Sequence, residues 1–160
     1  MSVCKRLRDD LDSHKIKYVV LLHSQAFTAQ EVAQRMHVPG REMAKTVVVK
    51  TPESLALVVV RALDRVDLDL VSAMMGQARL ATEAEFSSAF PDCEVGAMPP
   101  FGNLYDIPTL ADDALMQDEE IFFNSGTHTG AVRMKFEDFQ RLAKPMVGHF
   151  ATDLASAVRY

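Results

Sequence analysis

The sequence of 160 residues lacks the features that mark several large classes of protein. Its two cysteines, Cys4 and Cys93, stand far apart with no Cys-x-x-Cys spacing, so neither a disulfide framework nor a structural zinc site is indicated. The longest apolar run, residues 55–60, is far shorter than the roughly 20 residues that a membrane span needs. The first residues lack the apolar stretch of a secretory signal, which favours a cytoplasmic protein.

Composition and charge narrow the function further. Hydrophobic residues make up 48% and charged residues 24% of the chain, which is typical of a globular protein and excludes a disordered or fibrous one. The length predicts one domain over residues 1–160. Seventeen Lys and Arg against 22 Asp and Glu leave a net charge of −5, so the broad basic face of a DNA-coating protein is excluded and any nucleic-acid contact must be local.

The usual catalytic and cofactor motifs are also missing. The patterns GxGxxG, GxxxxGK[ST], GxSxG and HExxH do not occur, which removes the support for common nucleotide cofactors, a serine nucleophile or a zinc protease. The five histidines are scattered, without the short spacing of metal ligands. We therefore expect no metal and no cofactor. Cys93 is better interpreted as a small buried residue than as a nucleophile.

Local patterns predict helices and strands in irregular alternation. Helical spacing, two capping boxes and breaker residues predict helices over residues 3–14, 31–37, 67–75, 82–90, 136–143 and 152–158. Apolar and β-branched runs predict strands over residues 16–22, 44–50, 54–61, 93–96, 104–107, 120–124 and 131–135. The strands 44–50 and 54–61 flank a short connection and should form an antiparallel hairpin. This order favours an α/β fold of the α+β type, with a mixed, largely antiparallel sheet.

Two loops and one lysine are unusual for purely structural segments. The loop Gly96-Ala-Met-Pro-Pro-Phe-Gly102 combines rigid prolines with glycines that allow close approach. The segment Asn124-Ser-Gly-Thr-His-Thr-Gly130 is longer than a tight hairpin requires. Lys45 is a charged residue next to a Thr-Val-Val-Val run. Structural turns and a snorkelling lysine remain alternatives for these three features.

In this order, these segments resemble the YbaK/prolyl-tRNA synthetase-associated editing-domain family. The resemblance includes Ala44-Lys-Thr-Val-Val-Val, the Gly96 loop and the run Phe123-Asn-Ser-Gly before the last strand. It implies a mixed, curved sheet packed with helices. It also implies hydrolysis of aminoacyl-tRNAs that carry the wrong small amino acid, such as Ala, Ser, Thr or Cys, by a trans-editing deacylase.

The resemblance also implies roles for particular residues. Lys45 matches the functional lysine of the family and would bind the terminal phosphate or orient the acyl group, with the Gly96 and Gly126 loops as catalytic walls. The remaining substrate-binding residues would be Thr46, Met98, Pro99, Pro100, Phe101, Gly102, Ser125 and His128. Water attack on an ester can proceed by positioning and oxyanion stabilisation without a protein nucleophile.

The implied partner is the single-stranded CCA end of an aminoacyl-tRNA, and an aminoacyl-tRNA synthetase is a further candidate. One basic segment contains four side chains that could contact phosphates: Arg35, Arg41, Lys45 and Lys50. No membrane and no DNA partner is expected. Two alternatives remain: an inactive module that binds tRNA ends or a synthetase, and a hydrolase of small acyl esters.

Overall fold

The computed structural model describes residues 3–153, which contain five α-helices and ten β-strands. The helices are α1 (Lys5–Ser13), α2 (Ala29–Arg35), α3 (Leu68–Met75), α4 (Glu83–Phe86) and α5 (Phe136–Ala143). The strands are β1 (Tyr18–Leu22), β2 (Ala44–Lys50), β3 (Leu55–Arg61), β4 (Asp64–Val66), β5 (Arg79–Leu80), β6 (Thr109–Asp112), β7 (Glu120–Asn124), β8 (Gly130–Lys135), β9 (Met146–Gly148) and β10 (Ala151–Asp153).

Side-chain caps begin three of the helices. The Thr28 hydroxyl accepts a hydrogen bond from the Glu31 backbone N–H at the start of α2. Thr82 and Glu85 form a reciprocal capping box at the start of α4, and the Asp67 carboxylate accepts two backbone N–H groups at the start of α3. These contacts satisfy donors that the first turn of a helix leaves free. The predicted caps at Thr28 and Thr82 are therefore confirmed. The α2 helix begins at Ala29, two residues before the predicted start, and of the two caps only Thr82 forms the reciprocal box.

Three sheets organise the strands. A five-stranded mixed sheet has the order β5-β2-β3-β6-β9, in which β3, β6 and β9 are parallel neighbours. A three-stranded antiparallel sheet has the order β1-β8-β7, and β10 pairs with β4. The predicted antiparallel hairpin of β2 and β3 is confirmed, with Lys45 opposite Val60. The predicted class of a mixed α/β fold is also confirmed.

Two predicted strands are wrong. Residues 93–96 form turns, and Gly96 has a left-handed φ of 87°. Residues 102–105 form a 3₁₀ helix, in which the Leu104 N–H donates to the Phe101 carbonyl three residues earlier. The Ile107 N–H then donates to the Gly102 carbonyl beyond the helix end. The strand that pairs with β3 begins only at Thr109. Tyr105 and Ile107 are buried in the core from irregular backbone, and Cys93 packs against the same cluster. A local pattern does not distinguish such packing from a strand.

The predicted terminal helix over residues 152–158 is wrong where the structure describes it. Thr152 and Asp153 belong to β10, which pairs with β4. Residues 154–158 lie outside the described residues. None of the helices within the range 3–153 is long and apolar enough to cross a membrane.

A cluster of aromatic rings anchors α5 against the sheet of β1, β8 and β7. Phe101, Phe123 and Phe139 are fully buried, and their ring centroids lie 5.4–6.4 Å apart. Tilted and edge-on aromatic pairs at this separation add to the stabilisation from burial. Phe101 follows directly on the paired prolines, so this cluster also fixes the end of the Gly96 loop.

Phe139→Ala should destabilise the fold strongly. Removal of a fully buried ring leaves a cavity and typically costs about 3–5 kcal/mol of unfolding free energy. Urea unfolding of this variant measures the loss. Gln140→Ala, at the exposed neighbouring position, is the matched control and should change stability by less than about 0.5 kcal/mol. Equal unfolding midpoints for the two variants would contradict the central place of this cluster.

Candidate functional site

A cavity of about 380 Å³ opens beside the first half of β2. Five chain segments line it: the start of α2, the start of β2, the end of the β2–β3 hairpin, the Gly96 loop and the end of β7. The lining residues are Phe27, Thr28, Ala29, Gln30, Lys45, Thr46, Val47, Ala62, Gly96, Met98 and Asn124. Four residues of the predicted site therefore share one cavity: Lys45, Thr46, Gly96 and Met98.

Lys45 supplies the positive charge of the cavity. The side chain is half-buried, and burial lowers the pKa of its ammonium, while the negative charge of Asp64 opposes that shift. Asp64 is itself held by Arg61 in a two-point contact, with N–O distances of 2.7 and 3.1 Å. Among residues 3–153, no hydrogen bond or ion pair to the Lys45 ammonium is found. Lys45 is thus a desolvated donor that an anionic oxygen in the cavity could satisfy.

Backbone hydrogen bonds join the two predicted glycine loops into a single wall. The Gly126 N–H donates to the Ala97 carbonyl (2.9 Å), and the Gly126 carbonyl accepts the Glu94 N–H (2.8 Å). The His128 Nε2–H donates to the Val95 carbonyl, at 2.8 Å. Gly96 and Gly126 have φ values of 87° and 102°, a region that favours glycine. The loops lie side by side, and Gly96 and Met98 are the part that reaches the cavity.

Gly96 carries a backbone donor that is only weakly engaged. Its N–H lies 3.2 Å from the Met98 sulfur, and a thioether is a poor acceptor. This N–H could therefore exchange the sulfur for a better hydrogen-bond acceptor at a small cost in free energy. Because Lys45 lines the same cavity, the site combines a charged donor with a backbone donor.

Gly126 and His128 belong to this wall but do not line the cavity. His128 is 8% exposed, and its ring packs on Phe27 with centroids 4.9 Å apart. A Cβ at Gly126 would lie 2.6 Å from the Cβ of Cys4, so no larger residue fits there without a shift. Both residues position the Gly96 loop, and their contact with substrate stays a prediction.

Five further predicted site residues are buried next to the cavity, and none of them lines it: Pro99, Pro100, Phe101, Gly102 and Ser125. Phe101 belongs to the aromatic cluster. The Gly102 N–H donates to the Thr109 hydroxyl at 3.0 Å, and the Ser125 carbonyl accepts the Cys4 N–H at 2.9 Å. These contacts stabilise the loops, and a direct role in binding stays a prediction for all five.

Seven of the eleven lining residues were not among the predicted site residues, and two of them, Asn124 and Phe27, offer distinct chemistry. Asn124 ends β7, and its Oδ1 is buried without a hydrogen-bond partner in the described structure, which is costly unless a ligand supplies a donor. Phe27 is 61% exposed at the cavity. Asn124 began the polar loop noted in the sequence, which was the available signal. Phe27 precedes a helix cap, where an apolar residue ordinarily packs on its own helix.

Comparison with known proteins identifies the family of this chain. The profile described as "Aminoacyl-tRNA editing domain" matches residues 23–142. The "Multifunctional Ser/Thr-tRNA deacylase ProXp-y" of Escherichia coli K12 is 32% identical over 97 residues, which cover 59% of this chain and 58% of that protein. The match therefore spans less than two thirds of the curated relative.

Solved structures support the fold. The protein described as hypothetical protein APE2540 superposes with a TM-score of 0.84 at 17% identity, over 92% of this chain and all of that one. A candidate trans-editing enzyme for prolyl-tRNA synthetase superposes with a TM-score of 0.79 at 24% identity, over 92% of this chain and 95% of that one. At these identities the structures establish the shared fold.

Lys45→Met should leave the protein at least as stable as the wild type at neutral pH. The folded-state pKa of Lys45 is lowered by burial, so the unfolded chain binds more protons between that lowered pKa and the ordinary value of 10.5. The unfolding free energy of the wild type therefore rises as the pH rises through this interval, relative to the variant. Urea unfolding of both proteins from pH 7 to about 10.5 measures the difference.

The matched control for this measurement is Lys50→Met. The Lys50 ammonium donates to the Thr51 carbonyl at 2.9 Å, so its replacement should lose stability. A Lys45→Met variant that is clearly less stable than the wild type at pH 7 would show that the ammonium has a stabilising partner.

Proposed function

This chain belongs to the aminoacyl-tRNA editing domain family, and on that premise we propose that it hydrolyses the ester bond of tRNAs charged with the wrong small amino acid. Water is the nucleophile, and the products are free amino acid and uncharged tRNA. The tRNA is bound through its single-stranded acceptor end. A synthetase partner and the extent of the domain over residues 1–160 stay predictions.

The observation that carries this proposal is the Lys45 ammonium in the cavity, to which residues 3–153 supply no hydrogen bond or ion pair. An aminoacyl-tRNA end brings anionic phosphate oxygens and, during ester hydrolysis, a developing oxyanion. A desolvated ammonium binds such oxygens more strongly than an exposed one, because water does not compete. Lys45 therefore binds an anionic oxygen of the substrate and orients the ester for attack.

The Gly96 N–H is the second donor in this mechanism. It leaves the weak Met98 sulfur contact and donates to the carbonyl oxygen as negative charge develops there. The hydrogen bonds of Gly126 to Ala97 and Glu94 keep this donor in place before the reaction begins. An ester is reactive enough for positioning and charge stabilisation to provide much of the rate enhancement, so no triad is required.

The cavity favours a small amino acid that carries a hydroxyl. Phe27, Val47 and Met98 limit its size, whereas Thr46 and the unpaired Asn124 oxygen offer polar partners. A site built to hydrogen-bond a hydroxyl discriminates against analogues that lack it. We therefore place Ser and Thr ahead of Ala and Cys as the amino acids removed, and the curated relative described above is a Ser/Thr-tRNA deacylase by name.

A deacylation panel tests the proposal. Purified protein is incubated with tRNAs charged with Ala, Ser, Thr or Cys, including charged tRNA-Pro, and the remaining ester is measured over time. We expect the fastest loss with Ser and Thr, unchanged by a chelator because no metal is required. Binding without hydrolysis would support the inactive module instead, and equal hydrolysis of free amino-acid esters would support a small-molecule hydrolase.

Lys45→Ala should reduce deacylation by roughly ten- to a hundredfold or more, because it removes a charge-assisted contact worth about 1.5–3 kcal/mol. Lys45→Arg should be impaired as well, since a planar guanidinium does not replace a compact ammonium in a confined cavity. Single-turnover deacylation measures both. Lys50→Ala, on the same strand but outside this cavity, is the control. Wild-type rates for Lys45→Ala would remove it from the mechanism.

Asn124→Ala should weaken discrimination by the amino-acid pocket. If the Asn124 oxygen accepts a hydrogen bond from the aminoacyl group, its loss should slow deacylation of Ser-tRNA by about tenfold, corresponding to one hydrogen bond. The rate with Ala-tRNA should change less. Asn103→Ala is the control, because the Asn103 amide binds the Leu142 carbonyl away from the cavity. Equal losses with both tRNAs would instead indicate a role common to all substrates.

A further inference from the structure

The fold brings the only two cysteines of the sequence together. The Cys4 and Cys93 sulfurs and an Asp92 carboxylate oxygen all lie within 4.8 Å of one another. Cys4 is buried and Cys93 is half-buried, and both are free thiols. The Tyr105 hydroxyl lies 3.2 Å from the Cys93 sulfur and 3.9 Å from the Cys4 sulfur. Their separation in the sequence did not indicate a disulfide, and although both thiols are free in the structure, the fold places them side by side.

The surroundings of the pair favour a disulfide over a metal site. One Asp92 oxygen accepts the Tyr105 hydroxyl at 2.7 Å, and the other accepts the Arg6 backbone N–H at 2.9 Å. Both carboxylate oxygens are therefore already used by the protein. Even with one Asp92 oxygen counted, the described residues offer a metal three ligand atoms here, whereas a structural zinc ion takes four ligands.

The two thiols differ in acidity. Hydrogen bonding from the Cys93 thiol lowers the pKa of Cys4, although burial and the Asp92 charge oppose this. Interaction with Cys4, together with burial, raises the pKa of Cys93. The interaction between the two thiols favours a thiolate on Cys4 with Cys93 as its hydrogen-bond donor. Cys93 is the partly exposed member of the pair.

We propose that Cys4 and Cys93 form a reversible disulfide in response to an oxidant of the peroxide class. The Cys4 thiolate attacks one peroxide oxygen, the O–O bond breaks, and the released hydroxide takes the Cys93 proton to become water. The Cys93 thiolate then attacks the Cys4 sulfur, the S–O bond breaks, and the second hydroxide is protonated by solvent. Two thiols are oxidised to one disulfide while one hydrogen peroxide is reduced to two waters.

The position of the pair connects this modification to the cavity wall. The Cys4 N–H donates to the Ser125 carbonyl at 2.9 Å, and a Cβ at Gly126 would lie 2.7 Å from the Cys4 sulfur. Glu94, the residue after Cys93, donates its N–H to the Gly126 carbonyl. Closing the sulfurs to about 2.05 Å requires Cys4 or Cys93 to move, and Cys4 packs directly against Gly126. This disturbs the support of the Gly96 loop, and the expected loss of rate rests on the proposed function.

The test uses the full chain, reduced and then freed of reductant. Hydrogen peroxide is added in small excess, and the remaining thiols are counted by alkylation and intact mass. We expect both thiols to disappear, the protein to remain monomeric on a non-reducing gel, and its mass to fall by two hydrogen atoms. A thiol reductant should restore both thiols. The oxidised protein should melt several degrees higher, because the disulfide restricts the unfolded chain.

Cys93→Ser is the matched control, because the partly exposed position tolerates a hydroxyl that can still contact Tyr105. It should show neither the two-hydrogen mass loss nor the rise in Tm. Deacylation of Ser-tRNA should fall severalfold on oxidation of the wild type and recover with reductant. In this variant peroxide can only add oxygen to Cys4, so any loss of rate should accompany a mass gain of about 16 Da per oxygen atom and not the loss of two hydrogen atoms.

Four outcomes would overturn the proposal or part of it. Two thiols that remain alkylatable, or a disulfide formed only between chains, would remove the modification site. One bound zinc ion that must be chelated before the thiols react would replace it with a metal site. A disulfide without any change in rate would remove only the coupling to the cavity. Absence of deacylation by the reduced protein would refute the proposed function, while the thiol count would still decide the disulfide.

Discussion

The two backbone hydrogen bonds of Gly126 determine the shape of the cavity. Through its N–H to Ala97 and its carbonyl to Glu94, Gly126 aligns the irregular Gly96 loop with the end of the regular β7–β8 hairpin. A loop that lacks strand partners is ordinarily the most mobile part of a fold. Here the hydrogen bonds to Gly126 restrain the Gly96 loop against the sheet. Gly96 is thereby held at the cavity that Lys45 also lines.

Lys45 occupies a position where burial disfavours its charge. The ammonium stands on a strand whose other neighbours are largely apolar, and burial lowers its pKa. The nearby acid, Asp64, is held by Arg61 and does not neutralise it in a direct ion pair. An unpaired buried charge is unfavourable in the empty protein and becomes favourable when an anionic ligand arrives. A charged side chain in surroundings that disfavour its charge is typical of functional positions.

The same wall is supported from behind by the start of α1. Cys4 anchors this helix to the Ser125 carbonyl and fills the space that Gly126 leaves by lacking a side chain. On the far side, the Asp92 carboxylate accepts hydrogen bonds from the Arg6 backbone N–H and the Tyr105 hydroxyl. The same hydroxyl contacts both thiols. A structural change at the two thiols can therefore alter the cavity wall through Ser125 and Gly126, without any contact to the ligand.

The sequence alone determined those parts of the protein that depend on neighbouring residues. Thr28, Asp67 and Thr82 mark helix starts because a cap acts within one turn, and the β2–β3 hairpin follows from two β-branched runs with a short connection. Lys45 stood out for the same local reason. The tertiary structure decided that residues 104–107 are no strand, that Asn124 shares a cavity with Lys45, and that Cys4 meets Cys93. Each of these features depends on contacts between segments that are distant in the sequence. The free energy of such contacts depends on the whole fold, so neither segment carries a periodic pattern that predicts them.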